Sequence, residues 1–213
     1  MNVLQAIRER RAVRDFKPDP VCAGKLYHLV SAASWAPSAL NEQPWLFTIV
    51  TDRTVLDEIS TRAKAWMLNN LTDMPRRAHF HDILAEPGFH IFYNAPCLIV
   101  ISSASTGPWT KEDASLAAQN LMLMATDLGM GSCWIGFAQG WLNTTEGRQI
   151  LDLPENAVVV APVIVGHPRT VPPPVARKMP LISWIGNRHI KGEEVIESPE
   201  LLAPRTDDTR AHA

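Results

Sequence analysis

The chain has 213 residues, of which 46% are hydrophobic and 20% charged, and its formal net charge at pH 7 is −2. That composition belongs to a folded protein able to bury about 70% of its unfolded surface without a disulfide or a structural metal, and a near-neutral balance gives no electrostatic reason to expect a nucleic acid as partner. The longest apolar run, residues 157–166, is interrupted by Pro162 and falls short of the ~18 residues a membrane span requires, so no membrane partner is expected either.

In chain order, residues 2–11 place Val3, Leu4 and Ile7 at helical spacing, with Asn2 as the cap. No apolar run with a small-residue cleavage site begins the chain, so no secretory signal is expected. Cys22, Cys97 and Cys133 are odd in number and widely spaced, which predicts reduced thiols in a cytoplasmic protein. A second helix is expected over 23–35, with Leu26, Leu29, Val30 and Ala33 on one stripe and Pro37 closing it. Residues 45–50 read as a short apolar strand, and Asp52 opens a helix containing Val55, Leu56, Ile59 and Trp66. The section 69–92 has mixed polarity with Pro75, Pro87 and Gly88; it reads as a mostly exposed excursion.

Residues 97–101 form a β-rich run of the kind that fills a sheet covered on both faces. Thr110 and Asp113 resemble a capping box, and Gly129 stands where a left-handed residue ends a helix. Between them apolar residues cover nearly the whole circumference, as in a central helix. A strand over 132–137, a short helix over 144–151 and a long strand over 157–165 follow. Pro168, Pro172, Pro173, Pro174 and Pro180 then produce an extended arm, apolar again at Leu181, Ile182, Trp184 and Ile185. The pattern predicts one α+β domain over 1–197 and a frayed tail over 198–213.

The densest charge cluster is Arg8, Arg10, Arg11 and Arg14, with Lys17 close behind. Guanidinium forks match phosphate oxygens, and a solvated helix end uses the same residues. Downstream, residues 36–45 hold Ser38, Asn41 and Gln43 in a loop between a helix and a strand. Three neutral donor and acceptor side chains suit a flat heterocycle, although a plain turn draws on the same residue types. Other signals point to structure. Gly129-Met130-Gly131 follows a helix and precedes a strand, the reverse of a dinucleotide-binding order. His79 and His81 would share a strand face but have no third ligand at familiar spacing, and Cys133 reads as core.

Arg10-Arg11-Ala12-Val13-Arg14-Asp15-Phe16, followed by Ala36-Pro37-Ser38-Ala39 with Asn41 and Gln43-Pro44-Trp45, resembles the FMN-dependent nitroreductase family. Asn94-Ala95-Pro96, Gln119-Asn120-Leu121, Trp134-Ile135-Gly136-Phe137 and the run from Val163 to Pro168 also fit, in the family's order over roughly residues 1–185. The resemblance implies a nitroreductase-like α+β fold: a central mixed β-sheet surrounded by helices, with the C-terminal arm extending onto the partner of a homodimer. It further implies that Arg10, with Arg177 or Lys178, holds the flavin phosphate. Arg14 would reach the pyrimidine edge and Ile135-Gly136 would face N5, making Arg14 and Gly136 the catalytic positions. Ser38 and Asn41, with Pro37, Ala39 and Gln43, would cover the flavin of the neighbouring subunit. Arg11, Ala12 and Trp134 complete the cofactor set, Ala12 standing where many members have Ser. The activity implied is ping-pong transfer of hydride from NADH or NADPH through FMN to a nitroaromatic, quinone or related acceptor. Reductive dehalogenation, reduced-flavin cleavage and a non-catalytic flavin-binding role are the alternatives.

Overall fold

The computed structural model describes residues 1–71, 77–104, 107–181, 183 and 185. The helices are α1 (Val3–Glu9), α2 (Ala23–Ser34), α3 (Arg53–Asn69), α4 (Arg77–Ala85), α5 (Thr110–Asp127), α6 (Gly136–Leu142) and α7 (Thr145–Ile150). The strands are β1 (Trp45–Val50), β2 (Cys97–Ser103), β3 (Gly131–Trp134) and β4 (Val158–Gly166), in the order β1-β2-β4-β3 and antiparallel at every pairing. Among the described residues, parallel pairing, the other component of the expected mixed sheet, is limited to the isolated bridge between Ala12 and Ser132.

Burial follows the two-residue period of the strands. Along β2, Leu98 and Val100 face one core while Cys97, Ile99 and Ile101 face the other, and all seven β2 residues are buried. Helices α3, α4 and α6 cover the first face through Leu56, Ile59, Ala63, Leu84, Ala138 and Leu142. Helices α2 and α5 cover the second, where Ala33 meets Ala114, Ala117, Ala118 and Ala125. Alanines at such positions let two helix backbones approach closely. A sheet covered on both faces explains why β2 reads as an unbroken apolar run rather than an alternating one. A bulge at Ile101/Ser102 shifts the β2–β4 register beside Pro162, at the kind of irregularity where a strand proline is tolerated.

Local chemistry sets the element ends. Asn2 accepts from Gln5 N at 2.8 Å and Asp52 from Thr54 N and Val55 N at 2.8 and 3.2 Å, as caps should. Gly129 takes φ +68°, and α5 closes with Met130 N donating to Ala125 O and Gly129 N to Thr126 O, the paired bonds of a Schellman ending.

Three expectations are corrected. In the 69–92 section, residues 72–76 lie outside the described residues and most of the others are exposed, as expected, but α4 forms there and Leu84, Ile91 and Phe92 are each 0% exposed. His79 and His81 accordingly lie on a helix, not a strand. The third strand stops at Trp134, because Ile135 turns the chain and Gly136 and Phe137 begin α6. Asp113 does not cap its own helix; its buried carboxylate accepts Ala39 N at 3.0 Å.

The chain divides into two units, Met1–Pro172 and Pro173–Ala213. The described residues of the second carry no regular element, and Val175, Met179, Leu181 and Ile185 are exposed. Ile182, Trp184 and the tail expected over 198–213 lie outside the described residues. Among the described residues, no helix is long and apolar enough to cross a membrane.

Gly129→Ala should lower the unfolding free energy by about 1–2 kcal/mol, the cost of an L side chain in the left-handed region, read as a reduced urea midpoint at unchanged m-value.

Candidate functional site

The segment after α1 lies along the sheet instead of continuing the helix. Ala12 bridges Ser132, Val13 N donates to Ser132 O at 3.1 Å, Phe16 bridges Pro168, and Lys17 N donates to His167 O at 2.8 Å. Two glycines make room for it. Gly131 and Gly166 are paired across β3 and β4; a Cβ on Gly131 would collide with Val13, and one on Gly166 with Phe16 and Pro96. Asp15 is tied from the other side by Arg169 N at 3.0 Å, Arg169 Nε at 3.2 Å and Thr170 Oγ1 at 3.0 Å.

This seating brings Arg14 to a cavity of about 690 Å³ whose walls also include Trp134, Ile135 and Gly136, a volume typical of ligand and cofactor sites. The Arg14 guanidinium carbon lies 5.8 Å from the centre of the Tyr93 ring, within cation–π range. Burial raises the Tyr93 hydroxyl above its ordinary pKa, with the Arg14 charge opposing it. Burial likewise pushes the Cys133 thiol up, and Arg14 and then Arg10 pull it back, so both guanidiniums act on the same stretch of β3. Phe80 and Phe137 meet edge to face with centroids 5.6 Å apart, the arrangement their quadrupoles favour. A Cβ on Gly136 would meet nothing within 4 Å, so its bare backbone borders open space.

The expected site residues fall into groups. Arg14, Trp134, Ile135 and Gly136 meet at the cavity. Arg10 is half-buried and adjoins it electrostatically, whereas Arg11 turns its Nη1 to the carbonyls of Arg8 and Arg10. Ala12 spends its backbone on the bridge to Ser132. Pro37, Ser38, Ala39, Asn41 and Gln43 are not among the residues that line this cavity. Their loop is braced internally: Ser38 Oγ accepts Gln43 N at 2.9 Å, and Gln43 Nε2 donates to Asn41 Oδ1 at 3.2 Å. Leu40, Asn41 and Gln43 all have positive φ, a conformation that costs non-glycine residues energy and persists only where the surroundings impose it. Arg177 and Lys178 are exposed residues of the second unit.

The sequence did not point to Trp66, Met67, Phe80, Tyr93 or Gly140 as wall residues. Trp66 carried only a core signal within α3, Phe80 lies in the mixed-polarity section 69–92, and Tyr93 follows directly after it. Asn143 is a wall residue whose amide pairs with Val159 through both its O and its N at 2.9 Å. Among the described residues no group of three His, Cys, Asp or Glu could hold a metal ion. The site therefore suits a flat, largely apolar ring system with a cation at one edge and bare backbone beneath it.

The model of the Nitroreductase family matches residues 7–167. A protein of Archaeoglobus fulgidus provisionally named NADH dehydrogenase/NAD(P)H nitroreductase is 30% identical over 166 residues, spanning 78% of this chain and 85% of that one. The iodotyrosine deiodinase of Thermotoga neapolitana is 29% identical over 132 residues, spanning 59% and 68%. The crystal structure of an FMN-bound nitroreductase from Bacteroides fragilis aligns with a TM-score of 0.75 at 26% identity, covering 87% of this chain and 100% of that chain.

Tyr93 is held at the cavity by a turn in which Tyr93 and Asn94 both adopt positive φ, and His90 locks that turn. Phe92 N can only donate, so His90 Nδ1 accepts it at 3.2 Å and Nε2–H donates to Asp57 Oδ1 at 3.1 Å. Burial lowers the His90 pKa, with Arg53 and Lys64 adding to it against the hydrogen bond and charge of Asp57. The folded state thus binds fewer protons than the unfolded one. This contribution to stability is full above the unfolded value of about 6.5 and is lost as pH falls through the lowered folded value. Between pH 7.5 and 5.0 the urea midpoint of the wild type should fall further than that of His90→Gln; parallel pH profiles would remove His90 from the lock.

Proposed function

We propose, on the premise that the chain belongs to the nitroreductase family, that it is an FMN-dependent oxidoreductase that uses NADH or NADPH to reduce nitroaromatic, quinone or related acceptors in a ping-pong cycle. The observation that carries this is the convergence of Arg14, Trp134, Ile135 and the bare face of Gly136 on one apolar cavity. A flat isoalloxazine needs close backbone approach, apolar walls and a cation at its polar edge, and the residues present fit that need. When bound, FMN supplies two-electron chemistry that links a nicotinamide donor to the acceptor.

The chain's residues do the rest. Arg10 would hold the phosphate as a charge-assisted donor. With FMN bound, Arg14 would offer its positive charge at the polar edge of the ring and would favour the reduced form electrostatically. Ile135 and Gly136 would present backbone to the ring, and Phe80 and Phe137 would exclude water from it. No acid–base pair is required of the protein.

A homodimer completes the site. Val3, Leu4 and Ile7 form an apolar stripe on α1 that faces outward, 73, 43 and 51% exposed, and Leu116 of α5 is 45% exposed. A stripe at helical spacing that finds no core within its own chain marks an interface. The braced loop at 38–43 then has a second subunit's flavin to cover, which supports its preformed strain. The deiodinase relative keeps a second reaction in view, reductive removal of halogen from a phenol on the same scaffold.

Anaerobic NADH or NADPH should bleach the flavin absorption band, and a nitroarene should restore it; restoration by an iodophenol alone would favour dehalogenation, and no bleaching by either nicotinamide would favour a binding protein. Arg10→Ala should weaken FMN binding by about 1.5–3 kcal/mol, the range for a charge-assisted hydrogen bond, in a titration of apo-protein. Sedimentation at micromolar concentration should show a dimer; a monomer that retains flavin and turnover would contradict the shared site.

A further inference from the structure

Two glycines lie one helical step apart on α6. Gly136 and Gly140 are related as i and i+4, so they share one face about 6 Å apart along the axis. The space above Gly136 is empty, whereas a Cβ on Gly140 would overlap the Cζ3 and Cη2 atoms of Trp66. The bare strip of α6 is therefore open at one end and capped by an indole at the other. Trp66 projects from the last turns of α3, is only partly buried, and lines the same cavity as Gly136, Phe80 and Phe137. Its helix end is fixed by Asn70 Nδ2, which donates to Trp66 O at 2.7 Å.

We propose that Trp66, seated on Gly140, is the end wall of the acceptor slot and sets the largest planar acceptor the enzyme reduces. This rests on the reading that flavin and acceptor share the cavity. An indole whose six-membered ring lies on bare backbone contributes a flat, largely apolar surface, so discrimination is by size. The wall selects planar aromatic acceptors of limited ring count and shows little preference among substituents of equal size. Gly140 keeps this seat open because any side chain there displaces the ring from α6 into the open end.

The test compares kcat/KM for a one-ring nitroarene with that for a three-ring nitroarene in FMN-loaded wild type, Trp66→Ala, Trp66→Phe and Gly140→Ala. Removing a ring-sized wall should raise the three-ring to one-ring ratio about tenfold or more in Trp66→Ala, with a smaller rise in Trp66→Phe. These are the magnitudes that apolar pocket contacts command. Gly140→Ala should lower the ratio, and adding Trp66→Ala to it should reverse the loss. FMN affinity, titrated separately, should be unchanged in Trp66→Ala. A flavin-loaded, active Trp66→Ala enzyme with the wild-type ratio would overturn the proposal alone. Wild-type protein that neither takes up FMN nor bleaches with a nicotinamide would instead overturn the functional reading beneath it.

Discussion

The site depends on the absence of two side chains. Gly131 and Gly166 face each other across the β3–β4 ladder, and between them they leave the depth that Val13 and Phe16 occupy. Val13 and Phe16 are 4 and 5% exposed, so the segment is anchored by buried apolar groups as well as by its bridges. With Val13 inward, the alternation of an extended chain turns the neighbouring Arg14 outward, which is how an arginine next to a core residue reaches a cavity. Glycine at these positions is required by the side chains of Val13, Phe16 and Pro96 that fill the space, because neither has a positive φ.

The same economy of space recurs on α6. Gly136 and Gly140 of α6 and Gly147 of α7 occupy three contexts: open cavity, an aromatic ring, and the backbone of Trp141 and Leu142. The bare glycine face of α6 leaves room for Trp66, which with Met67 of α3 shares a wall with Phe137. The apolar cluster that includes Leu56, Ile59 and Ala63 is continuous with that wall, so the cavity is an unfilled end of the first core and inherits its rigidity.

Much of this was legible in the sequence where local chemistry decides. Asn2, Asp52, Thr144 and Gly129 announced helix ends through their own side chains or lack of one, and the runs that became β1, β2 and β4 were long and apolar enough to read. Non-local partners were not legible. Asp113 looked like a cap because its spacing from Thr110 is local, yet its partner is Ala39, 74 residues away. The strand ending at Trp134 was overextended because Ile135 and Phe137 continue an apolar run, and only tertiary packing converts them into a helix start. Residues 77–95 were hidden for a related reason: their burial at Leu84, Ile91 and Phe92 is interleaved with charged and turn residues, and the positive φ of Tyr93 and Asn94 falls on residues that do not advertise it. The motif placed Arg14, Trp134, Ile135 and Gly136 together, while the aromatic wall has no motif at all.

Asp15 is bound by Arg169 and Thr170 across 154 and 155 residues of chain. On a ribosome, the arginine segment emerges well before its brace. Until residues 167–170 are available, only the contacts of Ala12 and Val13 with Ser132 and Gly131 seat the arginine segment on the sheet, so during synthesis the complete grip on a cofactor forms late. Assembly of the ligand site becomes a late event in the life of each molecule, and a chain truncated by a premature stop in β4 would lack that grip however well its helices had formed.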